Sequence, residues 1–186
     1  MPQRTWYKRK CSMKSTLYLK FIVIYIIFGF LSFFTVGILS SQLVLDRLEK
    51  NDSQNLYRQA NLVASDYLPS YFTGDSTSYA VHSQLNGMNL YLNSSLWFVE
   101  SDGTMITSSN LDNTKAPEAI DDFDPAEIGS NQYITGDYHG YFNEDMITVM
   151  APVTQGFYIK GYILIHKPVS AIQEVCSQMM FPIYIT

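Results

Sequence analysis

The chain has 186 residues, with 12 lysines and arginines against 17 aspartates and glutamates, for a net charge of −5. This length predicts about one domain outside any membrane, and the acidic balance argues against a nucleic-acid partner. The charge is unevenly distributed, because six of the basic residues and none of the acidic ones precede Phe21. A basic start followed by an uncharged apolar run excludes an ordinary soluble enzyme and indicates a membrane protein.

The first predicted element is a transmembrane helix over residues 21–39, a run of 19 residues without a charge. As a helix this run extends about 28 Å, enough to cross the hydrocarbon core. The upstream basic cluster predicts that residues 1–20 are cytoplasmic and that residues 40–178 form an extracytoplasmic domain, in a bacterial cytoplasmic membrane. A cleaved secretory signal is the alternative, but its apolar region would be shorter and would end in a better cleavage site. The apolar residues 179–186 are expected to begin a second, truncated span.

Two helices are predicted at the start of the external domain. Residues 40–67 lack Gly and Pro, and their apolar positions recur at helical spacing, so we expect one long amphipathic helix that Pro69 ends. A second helix is predicted over residues 76–87, with Asp75 or Ser76 as its cap. The apolar positions that define the two helices are Leu56, Ala60, Val63 and Tyr67 in the first, and Val81, Leu85 and Met88 in the second.

Five strands are predicted after these helices. The first two, residues 96–100 and 104–108, flank Ser101-Asp102-Gly103, which reads as a hairpin turn. A polar loop follows, with a short helix expected to start at Asp124. The remaining predicted elements are strands over residues 133–142, 146–153 and 157–166, and an exit helix over residues 169–179. The predicted fold class is α+β, with a long N-terminal helix packed on a five-stranded, mainly antiparallel sheet.

Two segments resemble a known family of sensor domains. LWFVESDGTMITSS resembles the strand, Asp-Gly turn and strand of extracytoplasmic Cache domains, and MITVMAPVTQGFYIKGYILIHKPVSAIQEV resembles their closing hairpin. The resemblance covers about residues 17–186. It implies a PAS-like sheet and the input region of a bacterial two-component sensor histidine kinase, acting as a homodimer. Chemoreceptors and diguanylate cyclases use the same input module, and a non-signalling membrane-anchored interaction domain is the remaining alternative.

The resemblance also implies a ligand pocket between the sheet and the loop of residues 110–132. Such pockets are mostly apolar with a few converging polar groups, so the expected ligand is a small molecule or ion. A lysine on the sheet can neutralise a carboxylate, but Lys160 also reads as an exposed residue near a turn. No Arg follows Arg58, which argues against a dicarboxylate. The candidate ligand-binding residues are Trp97, Tyr133, His139, Tyr141 and Lys160.

No catalytic residue, metal site or cofactor is predicted within this segment. His82, His139 and His166 lie in three different elements without the short spacing of a metal site. The acidic residues after position 120 can hold a divalent cation, but a solvated helix start explains them as well. Ser, His and Asp are present without a nucleophile elbow. The full-length kinase would be an enzyme, whereas this segment would bind membrane lipid and a stimulus.

Overall fold

The computed structural model describes residues 14–110, 116–128 and 132–180. The chain divides into two compact units, residues 1–43 and 44–186. Helix α1, Lys14–Leu62, begins in the first unit and ends in the second.

The first unit consists of the apolar part of α1. Between Phe21 and Leu39 nearly every side chain is exposed, among them Phe30 at 75% and Phe33 at 71%. A helix that is apolar on all sides and has no protein packed around it is suited to lipid. Within the described part of the chain, this is the one helix long and apolar enough to cross a membrane.

The second unit contains three further α-helices, a π-helix and five strands. Val63–Tyr67 form the π-helix directly after α1. The α-helices are α2 Pro69–Thr73, α3 Ser78–Leu92 and α4 Val169–Met180. The strands are β1 Ser95–Glu100, β2 Met105–Ser109, β3 Ile134–Gly136, β4 Met146–Gln155 and β5 Tyr158–Pro168.

The strands form one antiparallel sheet in the order β2-β1-β5-β4-β3. The hairpin turn between β1 and β2 is confirmed, since Gly103 has a φ of +89° and its N–H donates to the Glu100 carbonyl at 3.1 Å. The long strands β4 and β5 form the centre of the sheet with β1. The predicted α+β class, with a long helix on a five-stranded antiparallel sheet, is confirmed.

One side of the sheet, here called the helical face, packs against α1, the π-helix and α3. Alternate residues of a strand point to opposite faces, so Phe98 of β1 and Ile165 of β5 share this side. Tyr71 and Phe72 of α2 make edge contacts with the Phe98 ring at 5.7 Å each. The buried residues that the helical segments contribute here are Leu56, Ala60, Val63, Ala64, Leu68, Val81 and Leu85, with Val169 and Ile172 of α4.

The other side, here called the loop face, is covered by irregular chain. Its buried cluster joins Trp97, Val99, Met150 and Leu164 of the sheet to side chains from outside the strands. The covering side chains are Ile120, Ile128 and Tyr138, with Phe123, Tyr141 and Phe142 partly buried beside them. Buried side chains therefore lie on both sides of the sheet. On the loop face, turns and loops cover them.

The π-helix corrects the predicted long helix. The i+4 and i+7 spacing placed Tyr67 on the buried stripe, but Tyr67 is 43% exposed, whereas Ala64 and Leu68 are buried. A π-turn adds one residue to a helical turn, so the buried side moves by one position. Pro69 lies in the first turn of α2, where its missing N–H costs nothing.

Three other expectations differ in detail. Helix α3 is capped by Thr77, whose hydroxyl accepts from the Ala80 N–H at 3.3 Å, and not by Asp75 or Ser76. The segment at Asp124 is a turn in which the carboxylate accepts from the Ala126 N–H at 2.8 Å, and no helix follows in the described residues. Of the strand predicted over residues 133–142, only Ile134–Gly136 is a strand, β3.

Candidate functional site

A buried histidine lies at the centre of the loop face. His166 of β5 has no exposed surface, and it pairs in register with Thr148 of β4. Its Nδ1 lies 2.8 Å from the Thr148 Oγ1. Its Nε2 is buried and has no hydrogen-bond partner. Since a buried polar atom without a partner costs about 1 to 3 kcal/mol, this nitrogen is the most conspicuous feature of the face.

Three aromatic rings surround this imidazole. Ring centroids of Trp97, Tyr138 and Phe142 lie 4.4, 4.8 and 4.9 Å from that of His166. Trp97 also stacks on Phe142 at 5.3 Å, and its indole N–H donates to the Asn110 Oδ1 at 2.7 Å. We call these four residues, His166, Trp97, Tyr138 and Phe142, the aromatic cage. It brings three aromatic rings against a buried nitrogen that has no hydrogen-bond partner.

The segment 137–142 supplies two of the cage rings through an unusual turn. Tyr138, His139 and Gly140 have φ angles of +45°, +58° and +76°. A bulky residue in the left-handed region costs of order 1 to 3 kcal/mol and persists only where its surroundings hold it. The turn ends the strand after β3, because extended pairing cannot continue through three left-handed residues. It folds the Tyr138 ring back onto His166.

Two contacts attach this turn to the preceding loop. The His139 Nε2 lies 3.0 Å from the Glu127 Oε2, and both side chains are partly exposed. The Asp121 N–H donates to the Tyr141 hydroxyl at 3.1 Å. Cover and cage are therefore joined near the surface by these two hydrogen-bonded contacts.

Burial determines the electrostatics of the cage. Desolvation lowers the pKa of His166 to about 3, so the ring is neutral at physiological pH. Desolvation, with a smaller contribution from the Glu127 charge, raises the pKa of Tyr138, which therefore remains a neutral phenol. The cage therefore offers a neutral imidazole and a neutral phenol. The charge that acts on Tyr138 is that of the Glu127 carboxylate.

The structure brings together some of the predicted site residues and separates others. Trp97 belongs to the cage, and Tyr141 contacts Trp97 with a centroid distance of 5.7 Å. His139 lies at the rim of the cage. Tyr133 packs with the cluster of the helical face, and Lys160 is exposed at the register shift near the β4–β5 turn.

Sequence reasoning missed Tyr138 and Phe142, and it considered His166 only as a metal ligand or an isolated core residue. Strand alternation with Leu164 was the available clue that His166 faces the loop side. For the two turn residues no local pattern was available, since their position depends on the left-handed turn. Among the residues described, no group of three or more His, Cys, Asp or Glu side chains is arranged to hold a metal ion.

A second charged contact lies on the helical face, one residue after His166. The Lys167 Nζ lies 2.6 Å from the Asp52 Oδ2, with 20% and 26% of the side chains exposed. The two groups form an ion pair but not a hydrogen bond, because the Asp52 Oδ2 has no hydrogen-bond partner. A cavity of about 90 Å³ beside it is lined by Leu48, Ala171 and Ile172 among others.

Comparison with known families gives one match, and it lies at the N-terminal end. A family model described as slow voltage-gated potassium channel matches residues 3–66. This range contains the apolar helix and most of the following helical segment, about a third of the chain. No curated protein matches the chain significantly.

Solved structures resemble the second unit. The sensor domain of the Vibrio cholerae histidine kinase DctB is 20% identical, with a TM-score of 0.49, covering 72% of this chain and 56% of that one. The extracellular domain of the putative histidine kinase vpHK1S-Z8 is 11% identical, with a TM-score of 0.54, covering 75% and 60%. The ligand-binding domain of the Campylobacter jejuni chemoreceptor Tlp3, solved with L-valine, is 16% identical, with a TM-score of 0.43, covering 75% and 63%.

These comparisons correct the predicted identity. The chain spans 56 to 63% of the length of these solved domains. At such low identity the likeness to the vpHK1S-Z8 domain shows the fold alone. The prediction of a Cache domain that forms the input region of a sensor histidine kinase is wrong, because the matching family model describes slow voltage-gated potassium channels. The chain has an apolar helix of membrane-spanning length and a second unit with the fold of extracytoplasmic sensor domains.

Proposed function

We propose that the chain is a membrane-anchored binding protein whose second unit takes up a small molecule at the aromatic cage. The observation that carries this proposal is the His166 Nε2, which is fully buried without a hydrogen-bond partner. Native proteins rarely leave such a group unpaired unless a ligand, ion or water satisfies it. A mostly apolar surface with one oriented polar atom is typical of small-molecule sites.

The strained turn supports the same site. Tyr138 and His139 adopt left-handed conformations where their side chains meet the cage and its rim. Backbone strain of this kind clusters at binding and catalytic sites. It is kept there because it serves function, although it lowers stability. Trp97, His139 and Tyr141 are therefore retained as proposed site residues, and Tyr133 and Lys160 are tested beside them.

The topology is part of the proposal. Residues 1–20 would be cytoplasmic, residues 21–39 would span the membrane in contact with lipid, and residues 40–178 would be extracytoplasmic. Residues 179–186 would begin a second span; positions 181–186 lie outside the described residues. The excess of basic residues before the apolar run supports this orientation. Protease added to intact spheroplasts should digest residues 40–178 and spare residues 1–20; the opposite pattern would reverse the orientation.

Ligand binding is tested on the full chain in phospholipid nanodiscs. A panel of amino acids, amines, carboxylates and uncharged compounds is screened for a rise in the unfolding temperature of the second unit. At least one compound should stabilise the wild type, and His166→Phe should remove the effect. Met150→Leu changes the same cluster with little change of volume and should keep it. Absence of any saturable ligand in this panel would refute the proposed function.

The remaining candidate residues are tested by the same titration. Lys160→Ala should leave binding unchanged if the ligand lies in the cage, and should abolish it if an anionic ligand is held at the exposed end of β5. Tyr133→Leu should leave binding unchanged if the helical face takes no part. The opposite results would move the site away from His166.

A second candidate function is favoured by the family-model match over residues 3–66. We propose that the apolar helix associates with an ion channel in the membrane. The full chain is expressed with and without a voltage-gated potassium channel, and the currents are compared with those of the channel alone. Altered gating supports association, and a potassium current from the chain alone would make it a channel itself. Unchanged currents in both cases would remove this candidate.

The homodimer expected from the sequence also remains a proposal. A monomer has a mass of 21.2 kDa. The protein mass in a nanodisc or detergent micelle, measured by light scattering with the lipid or detergent subtracted, should be twice this value. A mass of one chain at micromolar concentration would exclude a stable dimer.

A further inference from the structure

We infer that the ligand of the aromatic cage is a small primary ammonium compound, held by a hydrogen bond from its N–H to the His166 Nε2 and by the surrounding rings. This inference rests on the proposed function, which it makes chemically specific. Four observations support it: the free nitrogen, the surrounding aromatic rings, the charge of the cover, and the positions of the cationic side chains.

The inferred hydrogen bond takes the His166 tautomer in which Nδ1 carries the proton. When Nδ1 carries the proton and donates to the Thr148 hydroxyl at 2.8 Å, Nε2 has a free lone pair. A neutral imidazole in this tautomer accepts a hydrogen bond and does not donate one. The ligand must then supply an N–H or O–H.

The rings favour a positive charge on that donor. Trp97, Tyr138 and Phe142 all have centroids within 5 Å of the imidazole. Aromatic faces carry partial negative charge and attract ammonium groups, most strongly where water is excluded. An ammonium group over Nε2 would meet both the lone pair and the rings.

The cover has the opposite charge to such a ligand. Residues 116–128 and 132–145, which supply the cover and the turn, contain no Lys or Arg. Their single histidine is paired with Glu127 at 3.0 Å. A surface of one sign raises the local concentration of oppositely charged ligands and their rate of association. The eight acidic residues in this range are Glu118, Asp121, Asp122, Asp124, Glu127, Asp137, Glu144 and Asp145.

Neighbouring cations of the described chain are unsuited to hold an anion here. Lys167 follows His166 but lies on the helical face, where it is paired with Asp52. Lys160 is six residues away along β5, about 20 Å at the rise of an extended strand. A carboxylate over Nε2 would face a lone pair, ring faces and an acidic cover, all of which repel it.

Entry requires the turn of residues 137–142 to move. The Glu127–His139 contact and the hydrogen bond from the Asp121 N–H to Tyr141 attach it to the loop. Both contacts are near the surface and are weak when exposed to water. A cationic ligand would bring a positive charge toward Glu127, the acid whose charge acts on Tyr138.

The test uses three probes that share one carbon skeleton: isobutylamine, isobutanol and isobutyrate. The full chain is prepared in phosphatidylcholine nanodiscs with Trp6→Phe, so that Trp97 is the single tryptophan. At pH 7.5, isobutylamine should change the Trp97 emission saturably. The other two probes should bind at least about tenfold more weakly, the factor expected for one hydrogen bond to a charged group.

Two pairs of variants locate the binding. His166→Phe should weaken isobutylamine binding at least about tenfold, whereas Met150→Leu in the same cluster should not. Because His166→Phe can disturb packing, a surface pair gives an independent test. Glu127→Gln should weaken binding about two- to fivefold in low salt, and Asp66→Asn, the same charge change on the π-helix, should have no effect.

The outcomes test the ligand class and the proposed function separately. Selective, His166-dependent binding of isobutylamine supports the inference. If isobutyrate or isobutanol binds as tightly in a His166-dependent way, the ammonium class is refuted and the binding site stands. If no probe changes the emission, the inference is refuted, and the wider panel described above decides the proposed function.

Discussion

Thr148 and His166 are paired across β4 and β5, and their side chains meet at 2.8 Å on the loop face with no exposure to solvent. The hydroxyl satisfies one nitrogen of a ring that burial keeps neutral, with a pKa lowered to about 3. In the unfolded chain a histidine titrates near 6.5. Between these two values the unfolded state binds a proton that the folded state does not.

The first prediction is a loss of stability in acid that depends on His166. Because the folded pKa lies below the unfolded one, the full stability is present above pH 6.5 and declines as the pH falls toward 3. This one group contributes at most about 1.4 kcal/mol per pH unit. Urea unfolding of the full chain carrying Trp6→Phe in detergent, followed by Trp97 emission between pH 7.5 and 4.5, measures the slope.

His166→Phe should reduce this slope, since the buried titrating group is gone. Met150→Leu should lower or keep the stability at pH 7.5 but retain the wild-type slope, because it leaves the histidine in place. Equal slopes in the wild type and His166→Phe would show that other groups account for the acid sensitivity.

The second prediction compares two glycines. A Cβ on Gly161 would lie 2.3 Å from the Val99 carbonyl oxygen, because β1 and β5 approach closely there. Gly161→Ala should lower the free energy of unfolding by about 2 kcal/mol or more. Gly87 lies inside α3 with open space around it, so Gly87→Ala should raise it by about 0.5 to 1 kcal/mol. Urea unfolding at pH 7.5 measures both, and a neutral Gly161→Ala would contradict the close approach of the strands.

The third prediction concerns the ion pair between Asp52 and Lys167. Both side chains are about three-quarters buried, so the pair should lie between an exposed pair and a fully buried one. A double-mutant cycle with Asp52→Asn and Lys167→Met should give a coupling free energy of about 1 to 3 kcal/mol. Coupling below about 0.5 kcal/mol, or its loss in 1 M salt, would indicate a solvent-screened contact.

The fourth prediction concerns the anchor. Phe28 lies near the middle of the apolar part of α1 and is 66% exposed. Phe28→Arg should impair membrane insertion, because a central arginine costs about 2.5 to 3.5 kcal/mol on the insertion scale. The measured quantity is the fraction of chain that resists carbonate extraction from membranes. Phe28→Leu is the matched control and should behave as the wild type; an arginine variant that remains fully integrated would contradict a single-helix anchor.

Alternation and helical spacing predicted most of the fold because each element buries one regular stripe. Strand β1 illustrates this, since Phe98 faces the helices and Trp97 the loop, as strand geometry requires. The hairpin turn at Gly103 was predictable because only a few residues readily adopt a positive φ. Buried apolar patterns and glycine turns are local properties that a sequence expresses directly.

The parts that the sequence did not predict depend on contacts between distant residues. The π-helix depends on how residues 63–67 pack on β4 and β5, so Tyr67 was assigned to the wrong side. The turn at Tyr138 and His139 is held by Glu127 and by the cage, and without them the segment reads as a strand. Two cage residues were missed for this reason, whereas Trp97 was found because it lies on a regular strand.

His166 and Lys167 are consecutive in β5 and serve opposite faces of the sheet. A slip of one residue in strand pairing would exchange them, so that an ammonium group would lie among the cage rings and an imidazole beside Asp52. The slip would break both the Thr148–His166 hydrogen bond and the Lys167–Asp52 ion pair. The two residues therefore favour the native register of the central strand, because that register keeps both contacts.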